Sequence, residues 1–356
     1  MAEHSVTNLG ANIQWQDISQ LEGLFDLAAQ WRQLADSCNS HLFNRLEWLR
    51  LWSTQFWDEH CQLHCLAGFV DGKLVVLVPF YIRRVGGLFK LRRLHFLGQG
   101  EPEQAELAAE YPELLVQHGF WTQAKTYITQ WLASLRFDEL WVRALIEGGR
   151  LHQLITEWPK YRETQSAAYS LSVANWNTKR LSRNARSKWR RGEKKLLQLE
   201  AEFKWLSHQE IEQYWPKLVS MHQARWQQLG QLGAFADSRF LLFHQQFRLH
   251  YPEQIAMSGV FVQQQAIALN YYLRGADSDY FYQSGWEPSY SECSPGFALH
   301  VWSILNSPAK RYDFMMGGRS QSYKAQFGCD EINLVTLHVI RSPGRRVLFK
   351  LVSNVL

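Results

Sequence analysis

Gln283 to Gly328 reads QSGWEPSYSECSPGFALHVWSILNSPAKRYDFMMGGRSQSYKAQFG, the sequence of a strand, a corner, a helix, a second strand and a Gly-rich turn. Tyr280, Phe281 and Tyr282 end a strand-like run. Ser294 suits an N-cap and Pro295 suits the first helical turn, where its missing N–H costs nothing. Phe297, Leu299, Val301, Trp302 and Leu305 then supply the apolar positions of a helix that Pro308 closes. Arg311 to Met315 predicts the second strand, and the paired Gly317 and Gly318 predict a tight turn, because glycines reach dihedrals that other residues avoid.

This layout has chemical content. A helix that starts at a strand exit, with Gly296 in its first turn, offers free backbone N–H groups and a positive dipole end to an anion such as a phosphate. Lys324 follows Tyr323 one strand later and is within reach of the same place. The same spacing also suits an ordinary crossover whose loop only turns a corner, and spacing alone leaves both readings open.

With 356 residues, the chain is long for one core and comfortable for two domains. It is 46% hydrophobic and 14% aromatic, with 16 tryptophans, which excludes a disordered chain. No apolar run approaches the roughly 18 residues of a membrane span, and Met1 to Gly10 lacks an apolar signal core, so a soluble cytoplasmic protein is expected. Five irregularly spaced cysteines (Cys38, Cys61, Cys65, Cys293, Cys329) do not make a disulfide framework and fit a reducing compartment. His60, Cys61, His64 and Cys65 imitate a metal site, but no second ligand pair comes after them, and no metal is expected.

Apolar periodicity predicts helices over Leu21 to Ser37, Phe43 to Trp57, Trp121 to Leu135, Tyr214 to Leu229 and Phe235 to His250. Leu66 to Val70 and Leu74 to Ile82 flank Asp71-Gly72 as a β-hairpin, with Pro79 marking a bulge or edge position. Leu91 to Leu97 and Glu139 to Leu145 are further strands. Shifting the chain by 192 places Phe69-Val70 on Phe261-Val262, Asp71-Gly72-Lys73 on Gln263-Gln264-Gln265, Val75 on Ile267, Leu77 on Leu269 and Phe80 on Tyr272. A hairpin therefore recurs, which predicts two versions of one α/β unit in tandem, with mixed sheets flanked by helices. The expected domains are a loose arm at 1–14, units at 15–165 and 166–340 with a junction near Tyr161 to Tyr169, and a basic amphipathic helix at 341–356.

Thr178 to Lys195 holds nine Lys/Arg against one acid, Glu193, a local +8 that leaves −3 over the rest of a chain of net +5. Three readings are open for this helix: a solvated face, a phosphate-binding face using Arg183 and Arg186, or attraction to an anionic membrane surface. His222, Arg225 and Trp226 share one helix before the Gly230 to Gly233 loop, where His222 is either a polar anchor for a substrate or a structural histidine.

The run SGWEPSYSECSPGFALHVWSI with YDFMMGG and YKAQFG resembles the C-terminal half of the GNAT-related acyltransferases of the CelD and BioF2-like group, relatives of the Fem aminoacyl transferases. NRLEWLRLWSTQF (44–56) resembles the opening helix of that group, and TKRLSRNARSKWRRGEKKL (178–196) resembles its basic helix. The resemblance implies a tandem pair of GNAT-like domains and an acyl-CoA-dependent N- or O-acyltransferase, with acetyl-CoA as donor and an envelope or polysaccharide precursor as acceptor. It implies an anion site at Ser294, Pro295, Gly296 and Phe297, and a carbonyl-polarising Lys324 beside Tyr323. Glu292 and Asp313 are candidates for proton removal, and His222, Arg225, Trp226, Tyr271 and Trp286 for acceptor contact.

The sequence departs from single-domain GNAT enzymes in carrying ECSPGF where they have a Gly-rich pyrophosphate loop. That leaves room for an aminoacyl-tRNA donor gripped by the basic helix at 179–195, although the coiled-coil insertion of Fem enzymes is missing. A non-enzymatic assembly subunit, or a peripheral protein at the inner membrane face, are the other readings.

Overall fold

A computed structural model describes residues 12–86, 90–317, 322–344 and 347. The chain divides into two compact units, 1–101 with 107–165 and 334–356, and 102–106 with 166–333.

The first unit begins with β1 (Gln14–Ile18), α1 (Leu21–Phe25), α2 (Ala28–Ser37) and α3 (Leu46–Phe56). The expected single helix over Leu21 to Ser37 is broken at Asp26 and Leu27. Leu27 sits at ψ 9°, and Leu24 before the break and Trp31 after it are both buried. Next come β2 (Cys61–Val70), β3 (Lys73–Val85), β4 (Leu91–Phe96), β5 (Leu115–Val116), α4 (Trp121–Ser134), β6 (Glu139–Ile146) and α5 (Arg150–Thr156). β1 to β4 are antiparallel neighbours, β6 lies parallel to β4, and Ile128 and Leu132 of α4 belong to one buried apolar cluster with Val78, Phe80 and Leu140. Pro79 causes no bulge. β4 pairs β3 from Phe80 and β5 pairs it up to Leu77, so the missing N–H falls between the two partners.

The expected junction is itself a strand, β7 (Tyr161–Ser172), and the division between units falls within it. Its polar first half, Tyr161 to Gln165, is exposed and reads like a linker. The second unit continues with α6 (Arg183–Gln198), β8 (Glu202–Trp205), α7 (His208–Gln228), α8 (Ser238–His250), β9 (Ile255–Val262), β10 (Gln265–Arg274), β11 (Ser278–Trp286), α9 (Pro295–Leu305) and β12 (Arg311–Gly317). The sheet runs β7-β12-β11-β10-β9-β8, with only β11 and β12 parallel. The expected end of this unit at 340 is too late. In β13 (Asp330–Ile340), Leu334 to Ile340 pair with β6 and belong to the first unit. The expected N-terminal arm and C-terminal helix lie largely outside the described residues, as does part of the Gly317-Gly318 turn.

The two units repeat each other. Both hairpins turn through two residues of positive φ, Asp71 (49°) and Gly72 (73°) in one and Gln263 (48°) and Gln264 (65°) in the other. Ala144 in β6 and Met315 in β12, 171 positions apart, both have positive φ at a register shift. The units differ between the repeated parts: residues 97–120 join β4 to α4, whereas only 287–294 join β11 to α9.

Candidate functional site

β12 pairs with β11 only at Ser278, Asp279 and Tyr280. Beyond that point β11 continues alone on that side to Trp286, and a cavity of about 270 Å³ opens against it. α9 starts at this cavity, and Ser294, Pro295, Gly296 and Phe297 all line it. Ser294 is not the N-cap that the sequence suggests. It adopts a left-handed conformation (φ 48°), and its side chain caps nothing. The effect is to turn the chain sharply out of the 3-10 turn Pro288–Cys293 and leave the helix start open. Helical geometry gives the first-turn N–H groups no partner within the helix, and none of the protein's hydrogen bonds reaches those of Gly296 and Phe297 among the described residues.

Two cations face this opening. Arg225 of α7 lines the cavity with no ion-pair partner among the described residues, and Lys188 of α6 lies 5.9 Å over the Phe297 ring. α6 is held there by a close approach at Gly192, where an added Cβ would stand 2.3 Å from the Cys293 carbonyl oxygen. Trp286 and Tyr323 complete the apolar wall. Tyr323 keeps 41% of its surface exposed, yet desolvation of its hydroxyl raises its pKa, against the opposing pull of Arg225.

Several expected site residues lie elsewhere. Lys324 directs its ammonium at main-chain carbonyls, with Nζ 2.5 Å from Phe314 O, 3.3 Å from Met315 O and 2.5 Å from Met316 O. These three carbonyls engage the ammonium within the protein itself. Glu292 is exposed and paired to Lys195 at 2.6 Å, and that lysine lowers its pKa. Asp313 is buried and accepts the Met315 N–H at 2.7 Å, which supports the bulge of β12. Arg186 donates to Lys179 O and Leu181 O, and Arg183 is exposed; neither lines the cavity. His222 is buried with both ring nitrogens engaged on its own helix: Nε2 accepts from Trp226 Nε1 at 2.8 Å, Nδ1 faces Gln223 Oε1 at 3.2 Å, and burial lowers its pKa. The Trp226 indole N–H is thereby engaged as well, and Tyr271 is buried beside His244.

Sequence reasoning missed Lys188, Asn270 and His300 as cavity residues. Helical spacing carries a faint signal for His300, which lies four residues after Gly296 and so on the face of α9 that starts at the cavity. Asn270 sits mid-strand among apolar neighbours and pairs across to Ser284, which lines the same cavity. Among the described residues no group of three or more His, Cys, Asp or Glu side chains could hold a metal ion, and no helix is long and apolar enough to cross a membrane.

Residues 183–325 match the acetyltransferase (GNAT) domain family. No curated protein matches the sequence. Among solved structures, the chain is similar to a crystal structure of FemX (TM-score 0.61, 9% identity, covering 95% of this chain and 99% of that one). It is similar also to a tandem GNAT protein from the clavulanic acid biosynthesis pathway (0.50, 9%, 92% and 98%). A conserved protein of unknown function from Bacteroides thetaiotaomicron is a third (0.51, 11%, 93% and 100%). At these identities the likeness is one of fold, and the fold is a tandem pair of GNAT-like α/β units.

Proposed function

We propose, from the premise that residues 183–325 match the acetyltransferase domain family of the GNAT type, that the chain transfers an acyl group from acyl-CoA to an amine or hydroxyl. The observation that carries this reading is the open start of α9, where N–H groups and two cations, none with a hydrogen-bond or ion-pair partner of its own among the described residues, meet in one cavity. Backbone N–H groups and a helix dipole bind phosphate oxygens, and Arg225 and Lys188 add full charges to them. Trp286 and Phe297 offer apolar surface for the acyl arm. Acetyl is the acyl group we favour, and a cell-envelope or polysaccharide precursor is the acceptor class we favour, with the protein acting in the cytoplasm or at the inner membrane face.

The test is calorimetric titration with CoA and acetyl-CoA. Gly296 has an ordinary φ, and a Cβ there would lie 3.5 Å from Trp286 Cδ1, so Gly296→Ala should bind as wild type does. Gly296→Trp should fill the cavity and weaken binding by about 100-fold, or about 2.7 kcal/mol. Wild-type protein that binds neither compound removes this reading.

A second reading, an aminoacyl-tRNA donor, is favoured by the exposed basic face of α6, with Arg183, Arg190, Arg191 and Lys194 all facing solvent. It predicts affinity for charged tRNA that falls steeply with salt, where acetyl-CoA affinity falls gently.

A further inference from the structure

His300 lines the cavity from the second turn of α9 with only 5% of its surface exposed. Its Nδ1 lies 2.7 Å from the Tyr312 hydroxyl. Tyr312 donates to the Tyr272 oxygen at 3.2 Å, and Asn270 Nδ2 donates to the same oxygen at 3.1 Å. Tyr272 then reaches Ser258 Oγ at 3.1 Å, which reaches Ser303 Oγ at 2.8 Å. This chain suits one tautomer. With the Tyr312 proton on Tyr272, the Tyr312 oxygen accepts from His300, an arrangement that puts the imidazole proton on Nδ1. Nε2 is left bare, with no hydrogen-bond partner among the described residues, and it is not among the buried atoms that lack one. It therefore opens to the cavity.

No Asp or Glu lines the cavity among the described residues. We propose that His300 is the catalytic proton acceptor of this cleft, taking the proton of the attacking amine or hydroxyl on Nε2, an inference that rests on the acyl-thioester reading above. As the nucleophile's bond to the thioester carbon forms, its proton passes to Nε2. The carbonyl re-forms as the C–S bond breaks, and the departing thiolate takes the proton from the imidazolium. Amine and thioester become amide and thiol, and His300 ends as it began.

The titratable and charged groups around His300 are Tyr312 from β12, Tyr323 and Lys324 from the turn at 323–327, and, lining the same cavity, Arg225 from α7 and Lys188 from α6. Burial, and after it the Lys324 charge, pushes the imidazole down to about 3. An imidazolium formed there readily returns its proton to a thiolate of ordinary pKa, about 8.5.

Long-range ¹H–¹⁵N NMR of the 356-residue chain, labelled at histidine and assigned with His300→Gln, tests the assignment without an acceptor. We expect His300 neutral with its proton on Nδ1 between pH 5 and pH 8, and an Nε2 shift that moves when acetyl-CoA is added. A proton on Nε2 overturns the proposal, because that nitrogen could then accept none. With water as acceptor, His300→Gln should slow thiol release from acetyl-CoA by about 100-fold, in kcat and not in KM. Equal rates at equal acetyl-CoA affinity also overturn it. Wild-type protein that does not bind acetyl-CoA in calorimetry removes instead the acyl-thioester reading, whatever the tautomer of the histidine.

Discussion

In the first unit, the gap left where β6 parts from β4 is filled by that unit's own chain, whereas in the second the gap beside β11 is a cavity. The strands part alike, β4 and β6 after two paired positions and β11 and β12 after three. The units diverge beyond that point. Gln99 is buried and its amide imitates a strand: Oε1 accepts from Arg143 N at 3.0 Å, and Nε2 donates to Arg143 O at 2.9 Å and to Ala109 O at 3.1 Å. Tyr111 N then donates to Ala144 O at the bulge. In the second unit the equivalent carbonyls, Phe314 O and Met315 O, receive the Lys324 ammonium. A strand that leaves its neighbour at a bulge must still satisfy its inner carbonyls. One unit does so with a long loop that closes the gap, and the other does so with one side chain that leaves the gap open.

The two solutions can be broken separately. Gln99→Ala strips partners from one buried N–H and two carbonyls, and should lower the unfolding free energy by about 4 kcal/mol. Denaturant unfolding measures the loss, and acetyl-CoA affinity of the folded variant should match wild type. A loss under about 1 kcal/mol would show that the filled gap does not depend on this amide. Lys324→Ala removes charge-assisted bonds at a less buried site, and should cost about 3 kcal/mol in the same measurement. A carbonyl-polarising Lys324, as the family resemblance implies, would do the reverse and lower turnover with folding unchanged. An unaltered melting temperature beside a tenfold drop in turnover would restore the lysine to the reaction centre.

The contrast also explains what the sequence could reveal. The hairpins, α4, α9 and their order are legible because apolar periodicity and turn residues act locally. The helix start at Pro295 and Gly296 is legible for the same reason, and it does line the cavity. The role of Lys324 is not, because three carbonyls of β12 converge on it only once Met315 takes its positive φ. His300 is hidden for a related reason. Its partners Tyr312 and Tyr272 lie 12 and 28 positions away, and Tyr272 reads as an apolar β10 residue until its hydroxyl is counted. β7 reads as a junction because five exposed polar-flanked residues precede its buried Ala167, Ala168 and Tyr169.

The smallest expected effect tests the repeat itself. Both hairpin turns need positive φ at two successive residues, and only the first unit places a glycine there, at Gly72. Side chains in this region clash with their own backbone by about 1–2 kcal/mol, so the exposed Gln263-Gln264 pair holds its turn at a cost that Asp71-Gly72 avoids. Gln264→Gly should therefore raise stability by about 1 kcal/mol, and Gly72→Ala should lower it by a similar amount. An added Cβ at Gly72 meets nothing within 4 Å, so the second change measures conformation alone. Opposite shifts of like size in thermal unfolding would mean that the two turns share one geometry and differ only in how well their residues fit it. If Gln264→Gly gains nothing while Gly72→Ala loses, the second turn is relaxed into another conformation, and the 192-position repeat ends at its strands.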